Sequence, residues 1–127
     1  MQELRLFEYA VIRIVPRPER EEFVNAGVML YCPGKKFLGI RTVLPEAKLR
    51  ALDPNLSLEE INLHLQAFEE ICCGKNPDSP IAQLDNASRF RWLTATRSTM
   101  MQTSKVHPGL CEDPQVTLDK LFLEMVG

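Results

Sequence analysis

The chain is 127 residues long, with 45% hydrophobic and 25% charged side chains and a net charge of −2. That is ordinary globular usage and enough length for one domain, spanning 1–127, to bury a core without metal or disulfide support. The balance excludes a global field that would draw the chain to nucleic acid or membrane, and no apolar run reaches the ~18 residues of a bilayer span. The opening MQELRLFEYA carries Glu3 and Glu8 and lacks a basic segment followed by a long apolar one, so a cytoplasmic protein without a signal peptide is expected. Of the four cysteines, Cys72 and Cys73 are adjacent and none forms CxxC. At least three of the four are expected to be small buried apolar residues.

Residues 7–15, FEYAVIRIV, read as an inner strand covered on both faces, with Ala10, Ile12 and Ile14 on one side and Phe7, Tyr9, Val11 and Val15 on the other. Pro16 and Pro18 end it. A second strand is expected from about Phe23 to Cys32. Strict alternation gives it an apolar face of Val24, Ala26, Val28, Leu30 and Cys32, and a mixed face of Phe23, Asn25, Gly27, Met29 and Tyr31. Pro33-Gly34-Lys35-Lys36 reads as a turn, and Phe37 to Val43 as the third strand of a meander. A short helix is expected over 44–52. A longer one follows, begun by a Ser57/Glu60 capping box, striped by Leu58, Ile61, Leu65, Phe68 and Cys72, and closed by Gly74. Ser79-Pro80 opens a further helical turn. SRFRWLT and STMMQTSKV read as a hairpin across 95–97, ended by His107-Pro108-Gly109. Asp113-Pro114 then starts a final helix striped by Leu118, Leu121, Phe122 and Met125. The order predicts an α+β fold: an antiparallel sheet, made of the N-terminal three-stranded meander plus a later hairpin, with helices packed on it.

The chemistry-bearing residues cluster in the connection PRPEREEFVNAG. Arg17 and Arg20 offer two forks for a carboxylate or phosphate, Glu22 a base or an ion-pair partner, and Asn25 a polar group in the same row as Gly27, whose missing side chain admits close approach. An ordinary solvated turn explains the same charges. Residues 88–107 hold Arg89, Arg91, Arg97 and Lys105 and no acid, whereas the helix at 57–73 holds Glu59, Glu60, Glu69 and Glu70 and no Lys or Arg. RFRW interleaves arginine with aromatics, as single-strand nucleic-acid platforms do, but an amphipathic strand does the same. His107 lies at a strand end, where ligand groups often sit. A Ser98–His107–Asp113 triad lacks a nucleophile elbow and an oxyanion turn, and no metal or cofactor motif is present.

Three separated blocks, YAVIRIVPRPEREEFVNAGVMLYCP, RFRWLTATRST and VHPGLCEDPQVTLDKLF, together resemble the bacterial domain-of-unknown-function 3037 family over nearly the whole chain. The resemblance maps the family's first block onto Arg20, Glu22, Asn25, Gly27 and Val28, its second onto Arg89 to Leu93, Arg97 and Ser98, and its third onto His107, Pro108, Gly109 and Pro114. The family often has a small residue where this chain has Glu21, which favours Glu22 over Glu21 as a functional group. The resemblance implies no activity. It implies an association with HipA-like kinases, beside whose genes family members are often encoded.

Two functions are therefore expected in competition. The leading one is a small cytoplasmic binding or regulatory protein acting through a partner protein, plausibly a HipA-like kinase in a toxin–antitoxin-like module, with charge segregation steering association. The alternative is a small enzyme or binding domain for a phosphate-bearing ligand, a nucleotide or nucleic acid, in which Arg17, Arg20, Arg91 and Arg97 hold anionic oxygens, Glu22 and His107 serve as base and acid, and Asn25 orients the substrate. In a third, structural reading, Arg20 and Glu22 clamp the meander to later strands. Whether catalysis occurs at all, and whether the chain self-associates, stays open, and no metal, cofactor or membrane is expected.

Overall fold

A computed structural model of the chain describes residues 3–95 and 100–126. Strands β1 (Arg5–Ile14), β2 (Val24–Cys32) and β3 (Phe37–Thr42) form an antiparallel meander. Two late strands, β4 (Met101–Thr103) and β5 (His107–Cys111), both run antiparallel to β1 along its free edge. β5 pairs with residues 5–9 and β4 with residues 12–14. The helices are α1 (Glu46–Leu52), α2 (Leu58–Cys73), α3 (Asn86–Ala95) and α4 (Pro114–Val126). This is the α+β architecture expected, built as three layers. α1, α2 and α3 cover one sheet face around Ile12, Ile14, Met29, Leu65 and Phe90, and α4 covers the other around Phe7, Val28, Leu30 and Leu118.

Sequence chemistry accounts for most of these elements. β1 alternates between the two cores as its apolar pattern predicts: Ile12 and Ile14 face the three-helix side and Phe7 the α4 side. In α2, Ser57 Oγ accepts the Glu60 N–H at 3.3 Å, and Ile61, Leu65, Phe68 and Cys72 are buried. At its end Gly74 turns left-handed (φ 66°), and the Gly74 and Lys75 N–H groups return to Ile71 and Glu70 carbonyls, each at 3.1 Å. Cys32, Cys72 and Cys111 are buried and Cys73 is exposed, all as free thiols.

Two expectations are corrected. Residues 86–95 are helical, not the first arm of a hairpin. Asp85 accepts the Ser88 N–H at 2.8 Å and caps the helix, and Phe90 and Leu93, three apart, are its buried residues. RFRWL fits that helical spacing as well as it fits strand alternation. The second arm survives as β4, paired with β1. The other correction lies in β2. Ile12 faces Gly27 but Arg13 faces Asn25, so Ala26 is an extra, bulged residue. The bulge swaps the strand's faces midway. Val24, Ala26 and Met29 belong to the three-helix core, while Val28, Leu30 and Cys32 belong to the α4 core. Asn25 and Gly27 therefore do not share a mixed face.

The two meander connections repeat one local design. Each is a single 3-10 turn begun by proline, Pro18–Arg20 and Pro33–Lys35, and closed by a left-handed residue, Glu21 (φ 57°) and Lys36 (φ 51°). The N–H of each closing residue bonds the proline carbonyl, at 3.1 and 3.0 Å.

Candidate functional site

The residues singled out from the sequence occupy separate places. At the β1–β2 connection, Arg20 Nε meets Glu22 Oε1 at 2.7 Å, and Arg17 Nε lies 3.7 Å from Asp53 Oδ2 at the end of α1. Arg20 and Glu22 thus pair within the turn rather than clamping it to a later strand. Asn25 sits on the α4 face, where its Nδ2 donates to the Met125 carbonyl at 3.0 Å and ties down the end of α4. Gly27 is a packing position: a Cβ there would lie 2.7 Å from the Arg41 carbonyl oxygen and 2.9 Å from Thr42 Cγ2. Arg91 is exposed on α3, in the layer across the sheet from Asn25. His107 opens β5 opposite Tyr9 and packs against its ring, centroids 5.3 Å apart. Tyr9 and Arg13, the partners of His107 and Asn25, are four residues apart on β1, about 13 Å along the strand. Asp113 is spent as a cap, accepting the Gln115 N–H at 3.0 Å. Arg97 and Ser98 lie outside the described residues.

Two other features stand out. The first is a polar pocket of about 310 Å³ at the β4 edge, lined by Arg13, Thr94, Gln102, Thr103, Ser104 and Lys105 among others. The Arg13 guanidinium carbon lies over the Phe23 ring, 4.3 Å from the centroid, and no carboxylate pairs with it among the described residues. Ser104 is buried, accepts the Val11 N–H at 2.8 Å and donates to the Lys105 carbonyl at 2.9 Å. Arg13 escaped the sequence reading because it was counted as part of an apolar strand. The signal was there, since it is the single charge within AVIRIV.

The second feature is a bare end of the sheet. Leu6 and Leu110 stand directly opposite on β1 and β5, 57% and 62% exposed, beside Leu4 at 55%. Leu6 has the strand phase of Ile12 and Ile14, so it lies on the three-helix face but past the helices. Pro108 opposes Glu8 and has no N–H to donate, so that pair is a non-hydrogen-bonded one and the bare proline nitrogen faces outward. The β5 edge is thereby blunted against strand addition.

Burial first, and the neighbouring Cys73 second, push the Cys72 thiol up to about 12. Burial and then its contact with Cys32 raise Cys111 as well. Neither is a poised nucleophile. Among the described residues no three His, Cys, Asp or Glu side chains converge as a metal site, and no helix is long and apolar enough to cross a membrane.

Fold and surface together define a class: a three-layer α+β domain with an antiparallel sheet, a polar edge pocket and an uncovered apolar sheet end. Residues 9–126 match the model of a family described as "Protein of unknown function (DUF3037)". The chain belongs to that family. No curated protein and no solved structure matches it.

Proposed function

We propose that this chain is a cytoplasmic binding or regulatory protein that acts by docking a partner protein, a HipA-like kinase in a toxin–antitoxin-like module being the partner the family association favours. The observation that carries this reading is the Leu6–Leu110 cross-strand pair with its neighbour Leu4, an apolar patch standing in water on an otherwise regular sheet. Because Pro108 blunts the adjacent edge, recognition works by side-chain packing on the sheet face rather than by adding a strand. Charge separation gives the approach a direction: α2 carries Glu59, Glu60, Glu69 and Glu70, whereas α3 carries Arg89 and Arg91.

The test is a titration of a HipA-like kinase against the wild type and Leu6→Glu or Leu110→Glu variants. Binding at micromolar concentration or tighter, weakened at least about tenfold by either charge, is the expected result. Absence of any complex at micromolar concentration, or binding indifferent to both variants, overturns the reading. A phosphate-bearing ligand gripped jointly by Arg17, Arg20, Arg91 and His107 gains no support from their placement over different layers and strand ends.

A further inference from the structure

We propose that the pocket at the β4 edge is a binding site for a small phosphomonoester dianion, held between Arg13 and Lys105. The inference is independent of the docking proposal, because the pocket lies at the opposite end of β1 from Leu6.

The lining carries two positive charges within a chain of net charge −2, and no carboxylate lines it among the described residues. Five other described arginines are engaged by carboxylates, namely Arg5, Arg17, Arg20, Arg41 and Arg50. Arg13 instead places its guanidinium carbon over the Phe23 ring, with Nε buried and unbonded. The ring contact restrains the guanidinium before any ligand arrives, which lowers the ordering cost of binding.

The hydroxyls around it leave the binding to other groups. Ser104 Oγ donates to the Lys105 carbonyl, Thr103 Oγ1 to the Thr94 carbonyl at 3.0 Å, and Thr94 Oγ1 to the Phe90 carbonyl at 2.9 Å. Their protons are spent, so these groups shape the pocket but offer no donors. The donors left are the Arg13 and Lys105 cations and the Gln102 side-chain amide, a set suited to oxygen acceptors bearing charge. Backbone geometry adds one more. The Val15 and Ser104 N–H groups bond the Met100 and Val11 carbonyls, at 2.7 and 2.8 Å. That alternation turns the Thr103 N–H away from β1, toward the sheet's edge where the pocket opens. Two cations lining one pocket match the charge of a dianion better than that of a singly charged carboxylate. A volume near 310 Å³ admits a phosphate and a small attached group.

Phenyl phosphate, with benzoate as the carboxylate control, tests the site by titration against the ¹⁵N-labelled chain. Saturable binding with a dissociation constant on the order of 1 mM or tighter is expected, with amide shifts concentrated at Gln102, Thr103, Lys105 and Val106. Lys105 is exposed, so Lys105→Gln keeps the fold. It should weaken binding about tenfold with an unchanged melting temperature, and Arg13→Gln should weaken it further. The proposal fails if phenyl phosphate does not saturate by about 20 mM, if the shifts map elsewhere, if Lys105→Gln binds like the wild type, or if benzoate binds equally well.

Discussion

At the scale of single residues, the backbone often explains what composition alone presents as chemistry. Glu21 is one of five acidic or basic side chains crowded into positions 17–22, yet its distinguishing property is a left-handed backbone. A non-glycine residue there costs about 1–2 kcal/mol, of which glycine recovers part after its own entropy loss. Glu21→Gly should therefore raise stability by about 0.5 kcal/mol, a rise of roughly 1–3 °C in melting temperature by calorimetry. The cysteines differ in the same physical way. Cys73 is exposed, while Cys32, Cys72 and Cys111 are buried and two of them hold raised thiol pKa values. Iodoacetamide at pH 8 should label the native chain once, at Cys73, and four times after denaturation, as peptide mass spectrometry would read.

At the scale of elements, one end of α3 and one end of α4 are each held by a polar side chain whose removal can be read. Asp85 caps α3, and its hydrogen bonds to Ser88 hold its carboxyl below the ordinary value of 3.8. A depressed folded-state pKa contributes stability above the unfolded pKa and loses it as pH falls through the folded one. Asp85→Ala should thus melt below the wild type at pH 6, and the gap should narrow steadily as pH drops below 3.8 in a series of thermal melts. Asn25 secures the other helix by donating to a terminal carbonyl of α4. Asn25→Ala should cost about 1 kcal/mol for the lost bond. Asn25→Asp should cost about 0.5 kcal/mol more, because it sets a negative charge against the negative end of a helix dipole, and urea unfolding at pH 7 resolves the order. These elements were unequally legible. α2 announced itself through independent signals at both ends and a stripe between them. α3 did not, because Phe90 and Trp92 alternate like a strand while Phe90 and Leu93 repeat like a helix. The Ala26 bulge left no mark, since alanine fits either face of a buried strand. Because the bulge reverses those faces, it also separated Asn25 from Gly27 and dissolved the row of site residues that alternation had suggested. Arg13 could have been found, as a lone cation inside an apolar strand that two cores enclose.

At the scale of the whole molecule, the two proposed surfaces sit at opposite ends of β1, so each can be abolished while the other remains. Leu6→Glu should leave phenyl phosphate binding within about twofold of wild type, and Lys105→Gln should leave partner affinity equally unmoved; titrating each variant with both ligands checks this. The separation also makes β1 the shared frame through which both sites are held. Its centre is locked on one edge by the buried Val11–Ser104 bond and on the other by seven paired positions on β2.

The position of β1 carries a consequence for the order of events during synthesis. Its first edge is satisfied early, because β2 follows within a few residues. Its second edge must wait for β4 and β5, and the bond from Val11 to Ser104 closes a loop of 93 residues. Until β4 and β5 have left the ribosome, a strand apolar on both faces stands with half its backbone unpaired. The growing chain is therefore most vulnerable to mispairing until β4 and β5 emerge, and a domain whose central strand waits on such distant partners should fold on the slower side of its size class.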